Sequence, residues 1–189
     1  HKQRTESAAA GGALVQPTNE THHLVLLRHA KSAWPDVPDD QRPLAPRGRR
    51  DAPEAGRWLR SSGHTPDQVL CSPAQRARQT WRLAATGLDP APPVEHDPRI
   101  YHADVELLLR VLREVPEHIG TLLVVGHEPT MRDLTLHLTG GGSHDGSDAL
   151  QRVRLKFPTS AIAVLGLTGP WAGLDADGAR LTDFVIPRG

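Results

Sequence analysis

Two distant stretches of this chain share one plan. In "LVLLRHAKS" four apolar residues, Leu24 to Leu27, run straight into Arg28 and His29. In "LLVVGHEPT" Leu122 to Val125 lead into Gly126 and His127. An imidazole titrates near neutral pH and can attack or donate, while a guanidinium beside it grips phosphate or carboxylate through two nitrogens. A third stretch, "CSPAQRARQT", completes the set. Ser72 and Gln75 form a capping-box pattern with Pro73 at the favoured first helical position, which predicts a helix start carrying Arg76 in its first turn. Backbone donors and the dipole at such an end attract anions, and Arg76 adds a bidentate ligand. Arg78 is turned about 200° from Arg76 around the helix and should face solvent. Ser72 reads as a cap rather than a nucleophile. Two arginines and two histidines with no acidic cluster among them suit a phosphoryl group.

These groups need a frame that brings three strand ends together. The apolar period predicts strands at 23–27, 68–71 and 121–125. It predicts helices at about 46–62, with Gly63 as C-cap, and at about 73–86, closed by Gly87. Val105, Leu108, Leu109, Leu112 and Val115 follow helical spacing, with Asp104 as cap and Pro116 as stop. A fourth helix carries Met131, Leu134 and Leu138 and ends at the glycines 140–142. The stretch 90–98 has room for one short strand. "RVRLKF" (152–157), "SAIAVLGL" (160–167) and "RLTDFVI" (180–186) read as three closing strands. Strands alternating with helices predict an α/β fold with a doubly wound, mixed, mostly parallel sheet. Ligands of such sheets bind beyond the carboxyl ends of the strands. His29 and His127 share a crevice if their strands are parallel neighbours.

At 189 residues the chain is expected to form a single domain over 23–189, preceded by a flexible tail over 1–22. Its 22 basic and 22 acidic side chains balance, which argues against a general nucleic-acid or membrane-surface binder. The one cysteine, Cys71, excludes an internal disulfide and fits a reducing compartment. The first 22 residues show no apolar core of signal-peptide length, so a cytoplasmic location is expected. No heptad or long apolar stripe announces an oligomer, and a monomer is the expectation.

Three other chemistries fit poorly. A cysteine phosphatase needs C-x5-R, but Ala77 holds that position after Cys71. A zinc site is not supported by the 11 histidines, which form no H-x-x-x-H pair. No P-loop signature is present.

"LRHAKS", "SPAQRARQT", "VVGHEP" and "TSAIA", in this order, resemble the histidine phosphatase superfamily, and specifically its small SixA-type phosphohistidine phosphatase branch. The resemblance spans about residues 23 to 167. It implies a phosphoglycerate mutase-like three-layer α/β/α sandwich, His29 as nucleophile, and Arg28, Arg76 and His127 as ligands of the phosphoryl oxygens. It implies no metal and no cofactor. The substrate would be a phosphorylated protein, dephosphorylated at phosphohistidine, or a small phosphorylated molecule, with inorganic phosphate as product. A phosphatase for small phosphate esters or sugar phosphates, or a phosphate-binding module without turnover, are the alternatives.

The match thins at the proton donor. Glu128, next to His127, is one candidate acid, and its place before Pro129 makes a capping role less natural. Glu95 and Asp97 in the middle stretch are others. A departing imidazole protonates near neutral pH, with a reference pKa of about 6.5, so a phosphohistidine substrate needs this acid least. Ala30 stands where much of the superfamily has glycine. Lys31 and Ser32 could contact phosphate or lie in an exposed loop, and Arg42 could line the pocket. The short connections leave no room for a lid, which suits a side chain presented by another protein.

Overall fold

A computed structural model of the chain describes residues 20–142 and 148–189. Among these described residues six strands form one sheet: β1 (His22–Arg28), β2 (Gln68–Cys71), β3 (Val94–His96), β4 (Thr121–Gly126), β5 (Ile162–Leu167) and β6 (Ala179–Val185). Their spatial order is β3-β2-β4-β1-β5-β6. The first four run parallel, and β5 and β6 close the sheet antiparallel.

The central strands are apolar without interruption because both of their faces are covered. Leu24, Leu26, Leu122, Val124, Ala163 and Leu165 pack on one face, against Leu108 and Leu112 of α3 (Val105–Arg113), Leu134 and Leu138 of α4 (Thr130–Leu138) and Val153 of α5 (Asp148–Leu155). Val25, Leu27, Leu123, Val125, Ile162 and Val164 pack on the other face. Their partners are Ala55 and Leu59 of α1 (Pro46–Ser61) and Ala77, Trp81 and Ala84 of α2 (Gln75–Ala85). The alternation of side chains along a strand thus separates two cores and makes three layers. α1 and α2 cross closely at Gly56, where a Cβ would lie 1.8 Å from the Ala84 carbonyl oxygen. No helix among the described residues is long and apolar enough to cross a membrane.

Two expectations change. The stretch 152–157 is not a strand: most of it belongs to α5. Leu150, Val153 and Phe157 are buried, whereas Leu155 is 86% exposed. The alternation of "RVRLKF" concealed a helical face that starts at Leu150, an ambiguity inherent in short apolar runs. Among the described residues two strands, β5 and β6, therefore close the sheet. The expected tail boundary also moves. Residues 1–19 lie outside the described residues, but β1 begins at His22, and the Glu20 carboxylate is packed under Arg180 at 2.8 Å.

Candidate active site

Three neighbouring strands end at one level. Leu27 of β1 and Cys71 of β2 are both in register with Val125 of β4, which lies between them. The ladder continues one step past the strands: the His29 amide donates to Gly126 O at 3.1 Å, and the Ser72 amide to Val125 O at 3.0 Å. At Gly126 a Cβ would come 2.9 Å from the terminal methyl of Met131, so a larger residue would push that side chain aside. This common edge brings Arg28, His29, Arg76 and His127 together. The two imidazoles face each other with ring centroids 5.3 Å apart.

His29 is buried, and its Nδ1 lies 2.8 Å from the Ala30 carbonyl oxygen. A carbonyl can only accept, so Nδ1 carries the proton and Nε2 keeps its lone pair. Burial pushes the His29 pKa down to about 3, with smaller contributions from His127, Arg76 and Arg28, against the opposing bond to Ala30. Burial also lowers His127 to about 4, helped by Arg76 and Arg28 and opposed by the Asp39 carboxylate. Both rings are neutral at physiological pH. His127 Nε2 is hydrogen-bonded to Ser72 Oγ at 2.7 Å. His127 Nδ1 and Arg28 Nε are buried without a protein partner among the described residues, as happens where polar atoms await a ligand.

The guanidiniums are fixed from behind. Arg28 Nη1 donates to Phe157 O at 2.9 Å, so the segment that follows α5 sets its direction. The Ser160 amide, 3.2 Å from both the Arg28 and His29 carbonyl oxygens, holds the backbone of that pair. Ser160 has a φ of 65°, a left-handed conformation costly for a non-glycine residue and here imposed at the edge of the site. Arg76 is buried and gives both terminal nitrogens to Asp39: Nη1 to its carbonyl at 2.7 Å and Nη2 to its carboxylate at 3.1 Å. Arg78 is exposed, as expected.

Several residues differ from their expected places. α2 starts at Gln75 with Ala74 as an uncapped N-cap, so Ser72 and Gln75 make no capping box. Ser72 Oγ accepts from the Ala74 amide and holds His127 instead. Glu128 does support its helix: Oε1 accepts the Arg132 amide at 2.8 Å in the first turn of α4. Burial raises the Glu128 pKa, opposed by that hydrogen bond and by Arg28. Asp97 is held by Arg99 at 2.7 Å, which lowers its pKa, and lines a shallow cavity with Glu95 and Glu114 rather than joining the imidazoles. The Ala30 methyl packs with Leu44 and Ala52, while its amide donates to Thr80 Oγ1. Lys31 is exposed, and Ser32 is buried against Arg42 Nη2 at 2.5 Å. The buried Cys71 thiol is pushed up to about 12 by burial, a poor nucleophile.

Asp39 and Tyr101 were not legible beforehand. Tyr101 donates its hydroxyl to Asp39 Oδ2 and sets its ring edge against His127, with centroids 5.5 Å apart. Asp39 is one of three aspartates in a polar loop, and nothing in its spacing distinguishes it from Asp36 or Asp40.

The histidine phosphatase superfamily (branch 1) model matches residues 24–107. An uncharacterized protein of Mycobacterium tuberculosis (strain ATCC 25618 / H37Rv) is 47% identical over 163 residues, covering 86% of this chain and 100% of the relative. Among solved structures, one from Nakamurella multipartitia, provisionally named phosphohistidine phosphatase SixA, superposes with a TM-score of 0.76 at 36% identity. It is matched over 88% of this chain and 96% of its own. The protein histidine phosphatase SixA complexed with tungstate gives a TM-score of 0.70 at 26% identity, over 87% and 97% of the two chains.

Proposed function

Because the chain belongs to the histidine phosphatase superfamily, we propose that it is a phosphatase working through a phospho-His29 intermediate, with phosphohistidine on a protein as substrate. The observation that carries this reading is the hydrogen bond from His29 Nδ1 to Ala30 O, which leaves Nε2 free to attack beside two guanidiniums and a second imidazole. Nε2 forms a bond to phosphorus as the bond to the leaving nitrogen breaks. Arg28, Arg76 and His127 hold the phosphoryl oxygens and neutralise charge spread over them in the transition state. The departing imidazole takes a proton from solvent. Water then attacks phosphorus and gives up a proton to solvent, the bond to His29 breaks, and inorganic phosphate leaves with the water oxygen. Glu128, with its raised pKa, supplies a proton when the leaving group is a poorer one.

The likeness to SixA proteins supports the phosphohistidine substrate. So does the modest demand that an imidazole leaving group makes on a general acid. The described residues, from Glu20 onward, act in this reading as one domain. The scheme is tested by trapping: brief incubation with a labelled phosphohistidine protein should leave acid-labile, base-stable label on the wild type and none on His29→Ala. Turnover should persist in EDTA. Equal labelling of His29→Ala would overturn the scheme, and a large preference for a sugar phosphate would overturn the substrate.

A further inference from the structure

The loop between β1 and α1 carries Asp36, Asp39 and Asp40 and no lysine or arginine from Trp34 to Gln41, all of it exposed. Asp39 alone turns inward to the guanidiniums. Its carbonyl and Oδ2 take both terminal nitrogens of Arg76, Oδ2 also accepts from Tyr101, and Oδ1 accepts from Arg42 Nη1 at 2.9 Å. The other two nitrogens of Arg42 are engaged as well. Its Nε donates to Ala33 O, its Nη2 to Ser32 Oγ, and the Trp34 ring covers its face at 3.3 Å. The donors left over on Arg76 can still meet one phosphoryl group, because a guanidinium has five N–H bonds and two are used here. A second negative group close to that phosphorus would meet a carboxylate. All four terminal nitrogens of the guanidiniums that touch Asp39 already have a partner.

We infer that Asp39 is a specificity-determining residue that favours phosphorylated groups whose remainder is neutral or cationic and rejects phosphate esters bearing a second anion beside the phosphate. The inference rests on the His29-centred reading and narrows it. A phosphorylated imidazole satisfies the rule, since the leaving ring is neutral and becomes a cation on protonation. A phosphoglycerate does not, since its carboxylate is brought against that of Asp39. Like charges held at short range discriminate between ligands.

The test is an affinity ratio. Dissociation constants for phenyl phosphate and 3-phosphoglycerate are measured by calorimetry on the full chain carrying His29→Ala, so that no turnover intervenes. Phenyl phosphate should bind at least tenfold more tightly than 3-phosphoglycerate. Adding Asp39→Asn should shrink that ratio at least tenfold. Tyr101→Phe, which removes a donor but keeps the charge, should leave the ratio within twofold. An equal loss of affinity for both ligands in Asp39→Asn would reduce the residue to a brace for Arg76 and overturn the inference. So would a Tyr101→Phe shift as large as that of Asp39→Asn, or failure of both ligands to bind. Absence of turnover in the wild type, with the ratios as stated, would instead defeat the phosphatase reading alone.

Discussion

His29 and His127, which enter from adjacent parallel strands, stand with their rings 5.3 Å apart and tilted by 54°. Each is held by one polar partner, Ala30 O for His29 and Ser72 Oγ for His127, and each is neutral because the protein has taken it out of water. The chemistry proposed above needs that neutrality, since a protonated imidazole has no lone pair with which to attack phosphorus.

The pH dependence follows from the two lowered values. Protonation of His29 at about 3 and of His127 at about 4 places their acid limb well below neutrality. Between pH 5 and 8, kcat/KM on an aryl phosphate should therefore show no limb near the reference imidazole value of about 6.5. An acid limb centred near that value, absent from His127→Asn, would contradict the burial argument.

Stability carries the same signature. The unfolded chain binds protons at these histidines below about pH 6.5, whereas the folded chain does so only near 3 and 4. Stability from this source is fully present above the unfolded value and is lost as pH falls toward the folded ones. The urea midpoint should fall from pH 7.5 to pH 4.5, and His29→Gln should flatten that fall.

Arg76→Lys tests the fork. A lysine keeps the charge but cannot reach the Asp39 carbonyl and carboxylate with two fixed nitrogens while facing a phosphate. The kcat/KM should fall by about 100-fold, in the range reported for loss of one oxyanion ligand. Near-normal activity would show that charge alone suffices there.

Glu128→Gln separates two roles. The amide oxygen can still accept the Arg132 amide, so the start of α4 survives. Hydrolysis of an aryl phosphate should stay within about threefold, and that of an alkyl phosphate should drop about tenfold or more. Uniform loss on both would make Glu128 a structural support only.

Gly56→Ala addresses the scaffold. The added methyl would lie 1.8 Å from the Ala84 carbonyl oxygen, and backbone on both sides leaves α1 and α2 no soft atom to yield. The substitution should cost about 1–3 kcal/mol or more, read as a lower urea midpoint. An unchanged midpoint would mean that the two helices separate freely.

Much of this was written in local order. Apolar quartets ending in Arg28-His29 and Gly126-His127 announce strands whose ends carry polar groups, because an uninterrupted apolar run has to be covered on both faces. Arg76 at a helix start, and Arg78 turned away from it, follow from helical geometry alone. The segment 152–157 misled because Leu150, which shares the buried helical face with Val153, lies outside it, and Leu155 supplied an apolar residue that is 86% exposed.

What tertiary structure alone decided is who meets whom. Strand order set β4 between β1 and β2, and that adjacency turned two separate histidines into a facing pair. It gave Ser72 to His127 rather than to its own helix, and it chose Asp39 from three similar aspartates to meet Arg76, Arg42 and Tyr101. Periodicity reports which face of an element is buried, since burial acts on each residue where it stands. Contacts between residues far apart in sequence depend on how the elements pack, and that is not written in the spacing of either partner.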